Sequence, residues 1–455
     1  MKHRTPFLLI WTLVATATAA ILPYSPPGDL SEIARLGRSE DYAVTIRGQT
    51  GGEKPCFVYA STNYWEHKAR KPQDSVSFTS FAFADEPVTV TVECLFPVQT
   101  AELHPKQGAV PLAIDGNCIR FTLPAPRQLA LAVNDTQRPL LLFAEAPEIP
   151  DTNATHYFAP GSVTRLGAKF EIKDGESVYI AGGAVVEATF FVTGNRNTYR
   201  GRGILSSGFI PWPQWDADKT LCQFGAPKFR TLRENQFEGL ILLNSPGWWV
   251  YGDVVQTTVR GVKSIAWNGN SDGIHLGGDS LMEDCFFFVN DDCLIANGGS
   301  RNTWRRCTIW RSPWGHPIIS LLTKRQSRDY LWEDIDVIAT EGGGPIITLK
   351  NYKNWGVGGT LENFTVRDVR IEGPRVGPLL KIEAAACTVR RFLLDRVRAE
   401  TTLDREGLLA FPAEGADDTV EFRDVTLAGK LVTSLDETKM KTEGDCSGVK
   451  FSTGR

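Results

Sequence analysis

The sequence has no basic tract and no long acidic run, and after its first 20 residues it has no apolar run long enough to cross a bilayer. Its 49 basic and 53 acidic side chains nearly balance, giving a formal charge of −4. Without concentrated positive charge, nucleic acid is not an expected partner. The nine cysteines include no CxxC pair, so no structural metal site is predicted. A neutral or weakly charged ligand is therefore the expectation, and the composition leaves the oligomeric state open.

The N-terminus has the composition of an export signal. Lys2, His3 and Arg4 precede an apolar run at residues 7–14, and residues 15–19 supply small side chains in an A-x-A arrangement. The apolar run is shorter than the roughly 20 residues that a membrane anchor needs. Residues 1–20 are therefore predicted to be a cleaved signal peptide of a secreted or periplasmic protein with no remaining membrane span.

The odd number of cysteines leaves at least one outside any intramolecular disulfide. Export permits disulfides, but a chain of this length does not need them. Cys285, Cys293 and Cys307 lie in β-like runs, where burial as small apolar residues is the expected role.

Residues 21–150 alternate short apolar strands with turn clusters and contain no long segment of helical periodicity. Runs of this kind occur at residues 42–46, 76–83, 88–95, 119–123 and 129–133. Short strands at this spacing predict an antiparallel β-sandwich, either a structural cap or a carbohydrate-binding module. Pro147, Pro150 and Asp151 interrupt any strand, so a second domain is predicted to span residues 151–455.

A repeat begins in this second part. Four-residue units start at Phe237, Val259, Met282, Trp304 and Trp332, and their starts advance by 22, 23, 22 and 28 positions. Strand-and-turn repeats of this length are typical of a parallel β-helix. The leucine consensus of leucine-rich repeats and the roughly 40-residue unit of a propeller are both missing. The predicted fold is all-β: a right-handed parallel β-helix (solenoid) preceded by an N-terminal antiparallel β-sandwich.

Three aspartates stand out within the repeat. Asp272 lies in Asn270-Ser271-Asp272-Gly273, and Asp291 and Asp292 follow Asn290. Asp272 and Asp291 are 19 positions apart, about one coil, so stacking at about 4.8 Å would bring the two sites together. Consecutive residues of a strand point to opposite faces, so Asp291 and Asp292 share one cleft only if the chain bends there.

Clustered carboxylates suit glycoside hydrolysis. Inversion needs one carboxylic acid to protonate the leaving oxygen and a carboxylate to activate water across the ring. Repulsion within such a cluster favours keeping one member protonated. A single Asp-Gly or Asp-Asp more often shapes a turn, binds calcium or faces solvent, but two such sites one coil apart favour catalysis.

The ordered motifs resemble a known family. Asn270-Ser271-Asp272, Asp291-Asp292, Gly315-His316 and Lys350 follow the order of the signature motifs of polygalacturonases, glycoside hydrolase family 28. The close spacing of the aspartates, with a β-sandwich in front, is still more similar to the dextranase and isopullulanase family 49. The resemblance implies that Asp291 is the general acid, that Asp272 and Asp292 hold the nucleophilic water, and that neither a metal nor an organic cofactor takes part.

The motifs also depart from the polygalacturonase pattern. Thr348 replaces the arginine that grips a galacturonate carboxylate, which leaves Lys350 alone for that task, and Pro317 follows His316 in place of glycine. The substrate is therefore left open among α-glucans, galacturonan-like glycans and other acidic or sulfated glycans.

Several other residues are candidates for substrate binding. The set comprises Asn270, His275, Trp310, Trp314, His316 and Lys350. The indoles of Trp310 and Trp314 lie before His316 and could stack on a sugar, although tryptophans near turns also pack beneath loops. His316 either orients the catalytic acid or the sugar, or makes only local hydrogen bonds.

Three functional classes follow. The leading one is an exported polysaccharide hydrolase of inverting mechanism. A polysaccharide lyase would need a base for the C5 proton and usually carboxylates on calcium. A non-catalytic carbohydrate-binding or adhesion solenoid would keep its binding after the aspartates are removed.

Overall fold

The computed structural model confirms the predicted fold class, an N-terminal β-sandwich followed by a parallel β-helix. It describes residues 21–62, 75–212, 222–227, 230–250, 253–296, 298–310, 318–322, 327–339, 344–350, 360–373, 375–383, 388–411 and 419–454. Within these ranges the only helix is a 3₁₀ turn at Asp436–Thr438, and no helix there has the length and apolarity to span a membrane.

Within the described residues, twelve strands form the N-terminal part. They are β1 (Leu22–Pro23), β2 (Leu36–Arg38), β3 (Tyr42–Arg47), β4 (Lys54–Cys56), β5 (Tyr59–Thr62), β6 (Ser75–Ala82), β7 (Val88–Cys94), β8 (Ala101–His104), β9 (Leu112–Asp115), β10 (Cys118–Leu123), β11 (Arg127–Val133) and β12 (Asp135–Glu145). One sheet has the order β2-β5-β6-β12-β11-β8, with β1 also on β6, and the other has the order β4-β3-β7-β10-β9. All pairings among the strands described here are antiparallel except β6 with β12.

The first of these sheets is buried on both faces. Leu140 and Leu142 of β12 face the second sheet and form the sandwich core, whereas Leu141 and Phe143 belong to a separate apolar cluster shared with the β-helix. This alternation follows from the two-residue period of a strand. The phenyl rings of Phe143 and Phe286 meet edge to face at 5.4 Å, so the sandwich packs directly on the β-helix.

The remaining strands build the β-helix. They are β13 (His156–Phe158), β14 (Val163–Ile172), β15 (Ser177–Ile180), β16 (Val185–Val192), β17 (Thr198–Gly201), β18 (Ile204–Ser206), β19 (Phe224–Gly225), β20 (Thr231–Arg233), β21 (Gln236–Glu238), β22 (Ile241–Leu243), β23 (Asp253–Val255), β24 (Thr258–Arg260), β25 (Lys263–Ile265), β26 (Ile274–Leu276), β27 (Leu281–Glu283), β28 (Phe286–Phe288), β29 (Leu294–Ala296), β30 (Gly299–Trp310), β31 (Ile319–Leu322), β32 (Ser327–Ala339), β33 (Ile347–Lys350), β34 (Thr360–Ile371), β35 (Leu380–Glu383), β36 (Thr388–Asp395), β37 (Arg398–Ala399), β38 (Gly407–Ala410), β39 (Val420–Arg423), β40 (Thr426–Leu427), β41 (Lys430–Leu431), β42 (Met440–Glu443) and β43 (Val449–Ser452).

The coils stack in the register that the repeat predicted. Phe237 pairs with Val259, Val259 with Met282, Met282 with Trp304, and Trp304 with Trp332. All five side chains are at most 4 % exposed and form an inward row of the β-helix core. The Trp304 and Trp332 rings stack with centroids 4.9 Å apart. Like residues in register bury their faces against one another, which explains why the repeat is visible in the sequence.

One turn recurs in successive coils with a left-handed backbone. It is formed by Gly239 (φ 77°), Gly261 (62°), Asp284 (57°) and Arg306 (53°). Glycine adopts this conformation at no steric cost, and aspartate tolerates it through local hydrogen bonding. Arg306 also donates through Nε to Asp284 Oδ1 at 2.7 Å, which ties two coils together at this corner.

The three cysteines of the repeat are buried, as predicted. Cys285, Cys293 and Cys307 are each at most 1 % exposed. Burial, and then the adjoining Cys307 thiol, raise the pKa of Cys285 well above its usual range. Because the thiolate is the reactive form, Cys285 is a packing residue.

Candidate active site

Asp272 lies in the segment between β25 and β26, where the chain passes from one face of the β-helix to the next. Residues 266–273 are outside any strand, and Asn270 has a left-handed backbone with φ 56°. Asp272 is only 6 % exposed. A Cβ at position 273 would lie 1.8 Å from the Cys293 carbonyl oxygen, so only glycine lets this segment approach the next coil.

Asp291 and Asp292 occupy the equivalent segment of the next coil, between β28 and β29. Residues 290 and 291 form a bend, which is the condition under which both carboxylates can serve one site. The Asp292 N–H donates to Asp291 Oδ1 at 2.8 Å, which fixes the Asp291 carboxylate against its own backbone. Asp291 is 8 % exposed and Asp292 is 5 % exposed.

Backbone contacts bring the two acidic segments together. Gly273 N–H donates to the Asp292 carbonyl at 2.7 Å, and Asn270 N–H donates to Asp291 Oδ2 at 3.1 Å. The adjoining strands β26 and β29 pair in parallel, with Ile274 opposite Leu294. The aspartates therefore lie on adjacent coils, as their spacing predicted.

Buried polar side chains that the sequence did not single out hold these segments. Ser271 Oγ donates to the Asn268 carbonyl at 2.7 Å and accepts from the Asn290 N–H at 3.2 Å. Asn268 and Ser271 are fully buried, and Asn290 is 3 % exposed. Serine and asparagine beside acidic turns are so common that their sequence carries no signal for this role.

His275 joins the site directly. Its Nε2 lies 2.8 Å from Asp272 Oδ2, the geometry of an imidazole N–H donating to a carboxylate. The indole of Trp248, on the preceding coil, lies beside the imidazole with ring centroids 5.2 Å apart and planes at 35°. If residues 272–275 formed one regular strand, Asp272 and His275 would point to opposite faces. They meet because residues 266–273 are not in a strand and do not follow its alternation.

Trp310 does not lie with these residues as a sugar platform. Its indole is 3 % exposed, belongs to the apolar cluster shared with the sandwich, and meets the His104 ring edge to face at 6.1 Å. The prediction that Trp310 forms a substrate subsite is therefore wrong, because the sandwich covers the face of β30 on which it lies. Trp314 and His316 fall outside the described residues, as does the Lys350 side chain.

A row of side chains that lie outside the β-helix core cluster extends from the site along stacked strands. His275 of β26 is in register with Ile295, then with Ser320, Thr348 and Lys381. Thr348 is 4 % exposed and donates to the Lys381 carbonyl at 3.1 Å, so its hydroxyl is committed to the protein. Lys381 Nζ lies 2.7 Å from Glu383 Oε1, which neutralises its charge. This row offers no arginine for gripping an anionic sugar.

No group of three or more histidine, cysteine, aspartate or glutamate side chains within the described ranges is arranged to hold a metal ion. The arrangement that is present consists of three buried carboxylates on two adjacent coils, with an imidazole hydrogen-bonded to one of them. Such a group can supply an acid and a base to one reacting bond.

Searches against protein-family models and against curated proteins found no match. Comparison with solved structures did. Dex49A from Penicillium minioluteum, a dextranase of glycoside hydrolase family 49, superposes with a TM-score of 0.70 at 15 % identity, covering 94 % of this chain and 96 % of that one. The chain therefore shares the fold of Dex49A over both of its parts.

Two looser likenesses are to glycoside hydrolase family 28 structures. The endo-xylogalacturonan hydrolase of Aspergillus tubingensis gives a TM-score of 0.42 at 13 % identity, covering 65 % of this chain and 90 % of that one. The exopolygalacturonase of Yersinia enterocolitica gives 0.37 at 11 % identity, covering 80 % and 95 %. The predicted resemblance to β-helix glycoside hydrolases is confirmed for the fold.

Proposed function

We propose that this protein is a polysaccharide-degrading glycoside hydrolase that cleaves by inversion. The observation that carries the proposal is the joining of Asp272, Asp291 and Asp292 at the same corner of two adjacent coils, each less than 9 % exposed. Burying three carboxylates together opposes folding. Their presence in one buried site therefore favours a functional role over a structural one. The fold shared with Dex49A supports the same class of reaction.

In the proposed mechanism Asp291 protonates the leaving glycosidic oxygen. Its carboxylate accepts hydrogen bonds from the N–H groups of Asn270 and Asp292, which hold it in one orientation. Asp272 and Asp292 bind the attacking water on the other side of the sugar ring, and His275 orients Asp272 through the 2.8 Å hydrogen bond. One of these two carboxylates takes a proton from the water as the water oxygen bonds to the anomeric carbon and the bond to the leaving oxygen breaks, which gives the inverted product.

The proposed substrate is a neutral α-glucan. Among the described side chains of the row from His275 to Lys381, the one lysine, Lys381, is paired with Glu383, and Thr348 stands where an arginine would grip a carboxylate. Binding of a polyuronide normally requires arginine or lysine at each carboxylate. Since Dex49A is a dextranase, dextran is the first glucan to test.

The proposal includes export, because the first 20 residues have the composition of a signal peptide. N-terminal sequencing of protein recovered outside the cytoplasm is expected to begin near residue 21. A mature chain that still starts at Met1 would contradict export without bearing on the chemistry.

The deciding experiment is a screen for released reducing ends on dextran, other α-glucans, polygalacturonate and sulfated glycans, with an Asp291→Asn preparation as the blank. Hydrolysis of an α-glucan with initial release of the β-anomer, followed by NMR, is the expected result. Release of the α-anomer would overturn inversion. Products with an ultraviolet-absorbing unsaturated end would indicate a lyase, and glycan binding without any cleavage would indicate a binding solenoid.

A further inference from the structure

Ser61, on strand β5 of the sandwich, contacts the β-helix at the segment that leads into the active site. Its side chain is fully buried. The hydroxyl donates to Asn244 Oδ1 at 3.2 Å and accepts from Trp267 Nε1–H at 3.3 Å. We propose that Ser61 is a positioning residue for the catalytic aspartates, and that the sandwich is thereby a working part of the active site. This inference rests on the hydrolase function proposed above.

The first connection runs through Trp267. This residue is the second of the segment 266–273 that carries Asp272, and its carbonyl accepts from Asn290 Nδ2 at 2.8 Å. Asn290 immediately precedes Asp291. The indole hydrogen bond to Ser61 therefore fixes a residue whose backbone is in contact with both acidic segments.

The second connection runs through Asn244. The next residue, Ser245, accepts at its carbonyl from Asn268 Nδ2 at 2.9 Å. The Asn268 carbonyl in turn accepts from Ser271 Oγ, directly before Asp272. Ser61 thus contacts two successive coils of the β-helix. The contact with Trp267 continues to Asn290, next to Asp291, and the contact with Asn244 continues to Ser271, next to Asp272.

These hydrogen bonds are buried among apolar side chains, so breaking one would leave a polar group without a partner and destabilise the fold. Trp267 is 4 % exposed, and its ring packs in one apolar cluster with Tyr59 and Phe78 of the sandwich and with Phe288, which it meets edge to face at 5.0 Å. A buried indole N–H without an acceptor carries the full desolvation penalty. Removing the Ser61 hydroxyl therefore favours a shift of Trp267, and a shift of this segment moves Asp272 and Asp291 relative to each other.

A cap that only covered apolar surface would behave differently. The apolar cluster between sandwich and β-helix would suffice for it, and the Ser61 hydroxyl would matter no more than any other buried hydroxyl of the sandwich. Ser77 is a matched control, because it is 2 % exposed and shares a 2.8 Å hydrogen bond with Ser39 inside the sandwich. Its loss removes a comparable hydrogen bond that has no connection to the aspartates.

The test compares Ser61→Ala, Trp267→Phe and their double variant with Ser77→Ala. Trp267→Phe keeps an aromatic ring but removes the N–H donor, so it breaks the same contact from the other side. We expect kcat to fall roughly 10-fold to 100-fold in either single variant with KM changed less than about 2-fold, as for misplaced catalytic groups. The double variant is expected to be no slower than the slower single variant. Ser77→Ala is expected to retain wild-type kcat.

A kcat of Ser61→Ala within about 2-fold of wild type, or equal losses in Ser61→Ala and Ser77→Ala, would overturn the positioning role. A second measurement does not depend on activity: hydrogen exchange of residues 266–273 and 289–293, which is expected to accelerate in Ser61→Ala and not in Ser77→Ala. If the wild type cleaves no glycan, the hydrolase proposal fails, and the exchange rates alone decide whether Ser61 holds these segments. Unchanged exchange in Ser61→Ala would refute the contact itself.

Discussion

His275 Nε2 lies 2.8 Å from Asp272 Oδ2, so an imidazole and a carboxylate three residues apart form one hydrogen-bonded pair at the proposed active site. The His275 side chain is 6 % exposed and that of Asp272 is 8 % exposed. Asp272 and the Asp291-Asp292 pair belong to successive coils, but His275 shares its coil with Asp272. The imidazole is thus placed to set the direction in which Asp272 presents its lone pairs to water.

Replacing His275 with phenylalanine is expected to lower kcat roughly 10-fold to 100-fold, because Asp272 then loses the hydrogen bond that holds it in position. His275→Gln, which retains an N–H donor, is expected to recover part of the loss. Steady-state kinetics on the glycan identified by the screen checks both variants. Equal activity of the phenylalanine and glutamine variants would show that the hydrogen bond to Asp272 does not matter.

Asp291→Asn is expected to reduce hydrolysis at least about 1,000-fold, because the amide cannot protonate the leaving oxygen. The change is nearly isosteric, so glycan affinity should stay close to wild type, whereas the loss of one of the two N–H acceptors is expected to lower the free energy of unfolding by about 1 to 3 kcal/mol. Asp279→Asn is the control, since Asp279 lies between Asp272 and Asp291 in sequence but is 41 % exposed and paired with Arg301. Retention of most activity by Asp291→Asn would remove Asp291 from the role of acid.

Trp248 is expected to form part of the sugar-binding surface. It is half-buried, and its indole lies 5.2 Å from the His275 ring. An aromatic contact is worth about 0.5 to 1.5 kcal/mol beyond the burial of area, so Trp248→Ala should raise KM roughly 3-fold to 10-fold with a smaller change in kcat. Trp248→Phe should keep most of the affinity. An unchanged KM in the alanine variant would place the sugar elsewhere.

Glu283 is expected to make the free energy of unfolding decrease as the pH becomes acidic. Burial opposes its charge, but hydrogen bonds from Arg305, Arg260 and Arg306 outweigh burial and lower its pKa from 4.5 to about 2. A carboxyl whose folded-state pKa is depressed stabilises the protein above its unfolded pKa and loses that contribution as the pH falls. The loss is therefore expected between about pH 4.5 and pH 2.

Glu283→Gln tests this dependence. We expect its free energy of unfolding at pH 7 to be lower by roughly 1 to 3 kcal/mol, given about 1.4 kcal/mol per pKa unit and the partial exposure of the arginines. The difference from wild type should shrink as the pH falls to 2. Denaturant titrations at pH 7, 4 and 2.5 measure it, and a difference that stays constant with pH would contradict the assignment.

Lys263 and Glu145 form an ion pair between the β-helix and the sandwich. Lys263 is fully buried and donates to the Gly239 carbonyl at 2.7 Å as well as to Glu145. Burial, partly offset by Glu145, lowers the pKa of Lys263. Glu145→Gln leaves this cation without its counter-charge, and we expect a loss of about 3 kcal/mol at pH 7.

The loss in Glu145→Gln should diminish as the pH rises toward 10, because a deprotonated lysine needs no counter-charge. Lys263→Met in the same background is expected to restore most of the stability. Thermal unfolding across this pH range follows both effects. If the double variant is no more stable than Glu145→Gln alone, the buried cation is not the cause of the loss.

Much of the β-helix could be predicted from the sequence because each coil repeats the same pattern of apolar core residues and turns. The units at Phe237, Val259, Met282 and Trp304 stack residue on residue, since a one-residue slip would turn every core side chain outward. The same period placed Asp272 next to the Asp291-Asp292 pair, where Gly273 N–H meets the Asp292 carbonyl at 2.7 Å.

What the sequence did not reveal depends on contacts between distant segments. Trp310 resembles an exposed platform near a turn, but the face of β30 that carries it is covered by the sandwich, where His104 meets its ring. Ser61 and Trp267 are 206 positions apart, and neither has a local pattern that predicts the other. Whether Asp272 reaches His275 also depended on the backbone between β25 and β26 rather than on strand alternation.

The sequence by itself thus determined the fold class, the coil length and the three aspartates, because hydrophobic period and short motifs are local properties. Only the tertiary structure decided which tryptophan lies beside His275 and how the sandwich contacts the segment that carries Asp272. The physical reason is that both faces of the sheet containing β12 are apolar in sequence. Only packing decides that one face covers the second sheet of the sandwich and the other covers the β-helix.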